Sequence, residues 1–159
     1  MRRIAPRRDG TFAIRLQTEE RALLAALPGQ LMELLTEGDS SLARLFPPAY
    51  VDDLDRDREF HRLMHEDLLA AKRESAEVLA ATADATVLDE VQLTRWMGAI
   101  NDLRLVIGTQ MGIEEHTDIE DFAEDDPDLQ RFVVYRFLTY LLSLIVEALT
   151  GRLPEPAEE

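Results

Sequence analysis

The chain has 159 residues, 46% of them apolar, which is enough for one domain with a core of its own. A formal net charge of −15 opposes unaided binding to phosphate backbones and anionic bilayers, both of which select Lys and Arg, and makes a basic protein partner the natural one. There is no cysteine, which excludes disulfides, thiolate nucleophiles, cysteine–zinc sites and thiol redox switching in this chain and suits a cytoplasmic setting.

The opening MRRIAPRRDG has arginines without an apolar run behind them, unlike a secretory signal. Residues 2–16 predict a β-hairpin. Asp9-Gly10 is a turn dipeptide, Phe12, Ile14 and Leu16 alternate after it, and Ile4 falls on the strand before it. Arg2, Arg3, Arg7 and Arg8 form the one basic cluster of an acidic chain. They are candidate partner-binding residues; the competing reading is a solvated face paired with the protein's own carboxylates.

Thr18, followed by Glu19 and Glu20, predicts a helix start with a hydroxyl cap and acids facing the macrodipole. Leucines 23, 24, 27, 31, 34 and 35 hold helical phase across Pro28-Gly29, so the segment reads as a kinked helix, or two short ones nearly in line, ended by Gly38. Residues 39–50, DSSLARLFPPAY, predict a compact connection. Asp39 or Ser40 caps one turn that buries Leu42, Leu45 and Phe46, and Pro47-Pro48 stops it.

A second long helix is expected from Asp53 or Asp55 to about Ala83. Its apolar stripe is Phe60, Leu63, Met64, Leu68, Ala71, Val78 and Leu79, and Lys72 and Arg73 are among its solvated charges. Residues 83–86 read as a short polar joint. Asp89 and Glu90 open a third helix that Gly112 closes, with Leu93, Trp96, Met97, Ile100, Leu103 and Ile107 facing inward. After an acidic loop from Glu114 to Asp126, Asp126-Pro127 starts a fourth helix reaching about residue 150. That helix is apolar almost all round, so it is central to a bundle or half-covered by a second copy; Arg136 and Glu147 argue against a membrane span. The expected fold is mainly α: a helical bundle of about four long helices with a small N-terminal β-hairpin. Residues 1–151 form a single domain, and residues 152–159 a disordered acidic tail.

Little in this pattern carries chemistry. His61 and His65 share a helix face, but Arg62 stands where a zinc-protease helix needs its glutamate, so no metal site is expected there. His116 lies among acids of the 114–128 stretch, which lacks the spacing and the glycine of a calcium loop. Within it Glu114, Glu115 and Asp118 are candidates for docking a basic partner. Phosphate-binding loops, nucleophile elbows and dinucleotide fingerprints are missing, so the chain reads as a non-enzymatic protein without a cofactor. Asn101, Arg104 and Gly108 fall on one helical line amid apolar neighbours. Arg104 reads as a polar anchor needing a carboxylate, with Asp52, Asp53 or an acid of the 114–121 loop as partner; the alternative is a ligand-binding arginine. Gly108 and Gly112 would admit a second backbone.

The segments LLAALPGQLMELL, RLFPPAYVDD, EFHRLMHEDL, INDLRLVIGTQMGI and YRFLTYLLSLIVEAL together resemble an actinobacterial family, domain of unknown function 2017. Its members are labelled oxidative-stress transcriptional regulators of the AosR type. The resemblance covers essentially the whole chain. It implies a regulator acting with an extracytoplasmic-function sigma factor, with sensing by a cysteine pair, which this cysteine-free sequence does not have. The expected partner is therefore a protein, such as a sigma factor, with a homodimer as the expected assembly. A DNA-binding regulator using the arginine-rich hairpin and a small-molecule or metal-binding protein are the alternatives.

Overall fold

The first turn of the first helix carries an arginine, Arg21, whose side chain reaches into the joint between two other segments, and the fold is assembled around that contact. The computed structural model describes residues 2–38, 42, 45, 53–112 and 119–151, without the side chains of residues 57, 61–63 and 119. In chain order the elements are β1 (Ile4–Pro6), β2 (Phe12–Ile14), α1 (Thr18–Glu37), α2 (Leu54–Thr82), β3 (Val87–Leu88), α3 (Glu90–Met111), a 3-10 turn (Ile119–Asp121) and α4 (Pro127–Thr150). The protein is mainly α with a small antiparallel sheet near its N-terminus, as expected.

The hairpin turns where Asp9 Oδ1 accepts from the Thr11 backbone N–H (3.0 Å) and hydroxyl (2.6 Å), and Gly10 takes a φ of 89°. Ile4 pairs with Ile14, and Pro6 with Phe12. The polar joint read at residues 83–86 instead leads into a third strand, with Phe12 opposite Leu88 and Ala13 opposite Val87. A two-residue strand is too short to show periodicity, and only its pairing with β2 defines it. The register sends Ile4, Phe12, Ile14 and Leu88 to one buried face.

The cap of α1 is Gln17, one residue before the predicted Thr18; its backbone N–H donates to Glu20 Oε1 at 2.8 Å. The chain stays helical through Pro28 to Glu37, and Gly38 ends the helix in the left-handed conformation (φ 67°). Asp53 caps α2, Asp89 caps α3 with a reciprocal Gln92 contact, and Asp126 caps α4 ahead of Pro127. Gly112 closes α3 as its left-handed cap at φ 64°, and among the described residues nothing lies within 4 Å of where a Cβ would stand.

Helices α1, α2, α3 and α4 pack in succession, and α4 also contacts β1. Leu24, Leu31, Leu79, Leu93, Trp96, Ile100, Leu138, Leu141 and Ile145 join the sheet's buried face in one core. Leu42 and Leu45 are buried as expected; Phe46, the Pro47-Pro48 stop and residues 152–159 lie outside the described residues. One apolar face differs from the expectation, and a second is left partly open. On α2, Phe60, Met64 and Leu68 stand at the surface, 37–39% exposed, because among the described side chains the helix is buried only in its C-terminal half, at Ser75, Ala76 and Leu79; the side chain of Leu63 lies outside the description. Helix α4 is long and apolar enough to cross a bilayer, yet it puts Phe132, Leu138, Leu141, Ile145 and Ala148 inward and leaves Val133, Tyr140 and Val146 exposed.

Arg21 closes the assembly. Its guanidinium donates to the carbonyls of Ile14 (2.9 Å), Leu16 (3.3 Å), Ala83 (3.1 Å) and Ala85 (2.7 Å). It therefore ties β2 and the start of α1 to the end of α2 and the approach to β3. Removing this fork leaves several half-buried carbonyls without donors. Arg21→Ala is expected to cost about 2–4 kcal/mol in urea unfolding, and Arg21→Lys to recover less than half of that, because an ammonium cannot span carbonyls on separate segments.

Candidate functional site

The charged groups that the fold gathers lie along α3 and its neighbours. Asp102 is buried on α3 and is met by Lys72 of α2, Nζ to Oδ1, at 3.1 Å. Sequence reasoning placed Lys72 among solvated charges and passed over Asp102, although Asp102 is in phase with Ala99 three residues before it and Val106 four after, both buried. Burial pushes the Asp102 carboxyl above its ordinary value of 3.8, and nearby Lys72 opposes that rise. The pair joins α2 to α3 at the level of the core.

Arg104 lies nearby on the same helix, half-buried. Its Nη2 donates to Asn101 Oδ1 at 3.0 Å, a neutral amide where a carboxylate was expected. The expected carboxylate is not among the described residues. Asp53 spends Oδ1 on the Arg56 backbone N–H (3.1 Å) as the cap of α2, while Asp52 and the 113–118 stretch lie outside the described residues. Arg104 Nε is shut away from solvent without an acceptor. Arg104 lines an open groove of about 680 Å³ together with Arg2 and the C-terminal half of α4.

The hairpin arginines divide. Arg3 forms an ion pair with Glu20 and lies 5.9 Å from the centroid of the Tyr140 ring, so it is engaged within the protein. Arg2, Arg7 and Arg8 are exposed. Arg15, which the sequence did not single out, braces the hairpin by donating to the Arg2 carbonyl at 2.8 Å. The docking candidates Glu114, Glu115 and Asp118, and His116 with them, fall outside the described residues, as does the side chain of His61; His65 is exposed. Among the described residues no three of His, Asp and Glu are gathered to hold a metal ion.

A family model described as Domain of unknown function (DUF2017) matches residues 1–149. The chain belongs to this family. It is similar to the oxidative stress regulator AosR of Mycobacterium tuberculosis (strain ATCC 25618 / H37Rv) and of Mycobacterium bovis, each 31% identical over 186 aligned positions that cover 91% of this chain and 85% of theirs. The putative oxidative stress regulator AosR of Mycobacterium leprae is 30% identical over 171 positions, covering 82% of this chain and 78% of its own. The longer alignment exceeds the 159 residues of this chain, so those relatives carry residues with no counterpart here. These relatives are named as regulators and not as enzymes. No solved structure matches.

Within this family member, Asp102 gives stability a defined pH dependence. The folded chain holds the Asp102 proton more tightly than the unfolded chain, so above 3.8 the folded state binds the extra proton. Stability from this group is present below the unfolded value and is lost as pH rises through the raised folded value. Urea unfolding of the wild type and Asp102→Asn across that interval should show the wild type's relative stability falling as pH rises. A difference that is flat or climbs with pH would contradict the assignment.

Proposed function

We propose that this chain is a non-enzymatic, cytoplasmic regulator of transcription that works by binding a protein of the transcription machinery, a sigma factor or a polymerase component. The observation that carries this reading is its 31% identity, over 91% of its length, to proteins named oxidative stress regulator. The physical character of the surface supports it. A net charge of −15 draws a basic partner and repels nucleic acid, and one of the four hairpin arginines, Arg3, is engaged with Glu20.

The partner surfaces in this reading are the acidic stretch with Glu114, Glu115 and Asp118, and the exposed arginines Arg2, Arg7 and Arg8 of the hairpin. Opposite signs on two patches fix the orientation of a partner better than one patch can. Without a cysteine the chain has no thiol to oxidise, so in this reading its response to oxidants comes through the partner or through expression level and not through a thiol switch of its own.

The test mixes the purified chain with each sigma factor of its organism and with core polymerase, and measures complexes by titration calorimetry. One tight complex is expected. It should weaken roughly tenfold or more in Glu114→Lys/Glu115→Lys, and a low dose of peroxide given to this chain alone should leave its affinity unchanged. Failure of every sigma factor and of polymerase to bind would sink the reading, and a peroxide-induced loss of affinity would sink its cysteine-independent part.

A further inference from the structure

The groove beside α4 holds more positive charge than the protein itself satisfies. Its lining is mostly apolar, from Leu142 and Val146, and carries two cations, Arg2 and Arg104, against one acid, Glu147. Among the described residues neither arginine forms an ion pair. Arg104 is met only by the neutral amide of Asn101, and its Nε has no acceptor. The carbonyl end of α4 contributes Thr150 and Gly151 to the same lining, but Arg104 donates to neither. The hydroxyls of Thr139 and Ser143 give their protons to their own helix, at the Tyr135 (2.9 Å) and Tyr140 (2.6 Å) carbonyls, which leaves the two arginines, with the Thr150 hydroxyl, as the side-chain donors for an anion.

We propose that this groove binds a small amphiphilic carboxylate, with its acid group on Arg104 and Arg2 and its apolar body along Leu142 and Val146. A volume of about 680 Å³ lies within the usual range for small-molecule sites, and an apolar lining with a few convergent polar groups is their usual composition. The charge balance selects the ligand class. Two arginines less one glutamate leave a single positive charge, which suits a monoanion; Glu147 and the overall charge of −15 penalise phosphates and acidic peptides. A planar carboxylate also matches the guanidinium fork of Arg104, and the half-buried setting strengthens that contact relative to water. Of the residues assigned to the partner surfaces described above, the groove shares Arg2 alone, so Arg104→Gln tests the ligand site without touching those surfaces.

The full-length chain is titrated with octanoate while the methyl signals of Leu142 and Val146 are followed by NMR, with acetate and octan-1-ol as controls. Saturable one-to-one binding of octanoate is expected, with both controls markedly weaker. Arg104→Gln should weaken binding roughly tenfold or more. Val146→Glu, at a position 45% exposed where the fold has little at stake, should do the same by placing an acid in the groove. Octanol binding as tightly as octanoate would reduce the groove to a charge-blind apolar surface and overturn the proposal. So would the absence of saturable binding, or methyl shifts that follow protein concentration without ligand, which would mean that a second copy covers the groove.

Discussion

The guanidinium of Arg21 is the point on which the architecture depends. A short hairpin at the start of a chain cannot hold itself together in water, and a strand of two residues even less so. Arg21 solves both problems by offering donors to carbonyls from β2, from the entry to α1, and from the residues between α2 and β3. Helix α2 has no basic residue in its last turn, so the negative end of its dipole has no cation of its own. Arg21 supplies that cation from another helix. The sheet's third strand is thereby joined to the first two across some seventy residues of sequence, and Phe12 and Leu88 can meet in the core.

That closure sets how the remaining charges behave. With the hairpin held against α1, Arg3 reaches Glu20 and the face of Tyr140, and Arg15 reaches the Arg2 backbone. The basic cluster is thus split between residues that brace the fold and residues that face outward. A second division runs along α3. Asp102 is balanced by Lys72 from α2, whereas Arg104, two residues on, has an amide for company and an open groove beside it. One helix therefore presents a compensated charge to one neighbour and an uncompensated one to the other.

Much of this was legible in the sequence, and the physical reasons are specific. Asp89, Asp126-Pro127, Gly38 and Gly112 placed helix ends correctly because capping is a local matter decided within a turn. The Asp9-Gly10 turn and the alternation after it placed the hairpin for the same reason. The strand at Val87-Leu88 escaped because it exists only through pairing with β2. The stripe on α2 was read as core along its whole length because periodicity reports which side of a helix is apolar and says nothing about what lies opposite. Lys72 was read as a solvated charge, and Asp102, thirty residues away, and Arg21 were passed over. Long-range polar contacts leave no periodic trace. Family membership was legible from the combination of segments, while the partner of Arg104 was sought among acids of which Asp53 is committed to capping, Glu120 and Asp121 are exposed on the 3-10 turn, and the others lie outside the described residues.

The chain's single tryptophan is placed where these threads meet. Trp96 is fully buried, and its indole N–H donates to the Thr82 hydroxyl (2.7 Å), which in turn donates to the Val78 carbonyl (2.6 Å) at the end of α2. Thr82 immediately precedes Ala83, one of the residues that Arg21 holds. The indole therefore acts as a built-in optical gauge of this joint. Its emission should stay blue-shifted while α2, α3 and the hairpin remain locked, and should move to the red when the joint opens, even where helical content is retained.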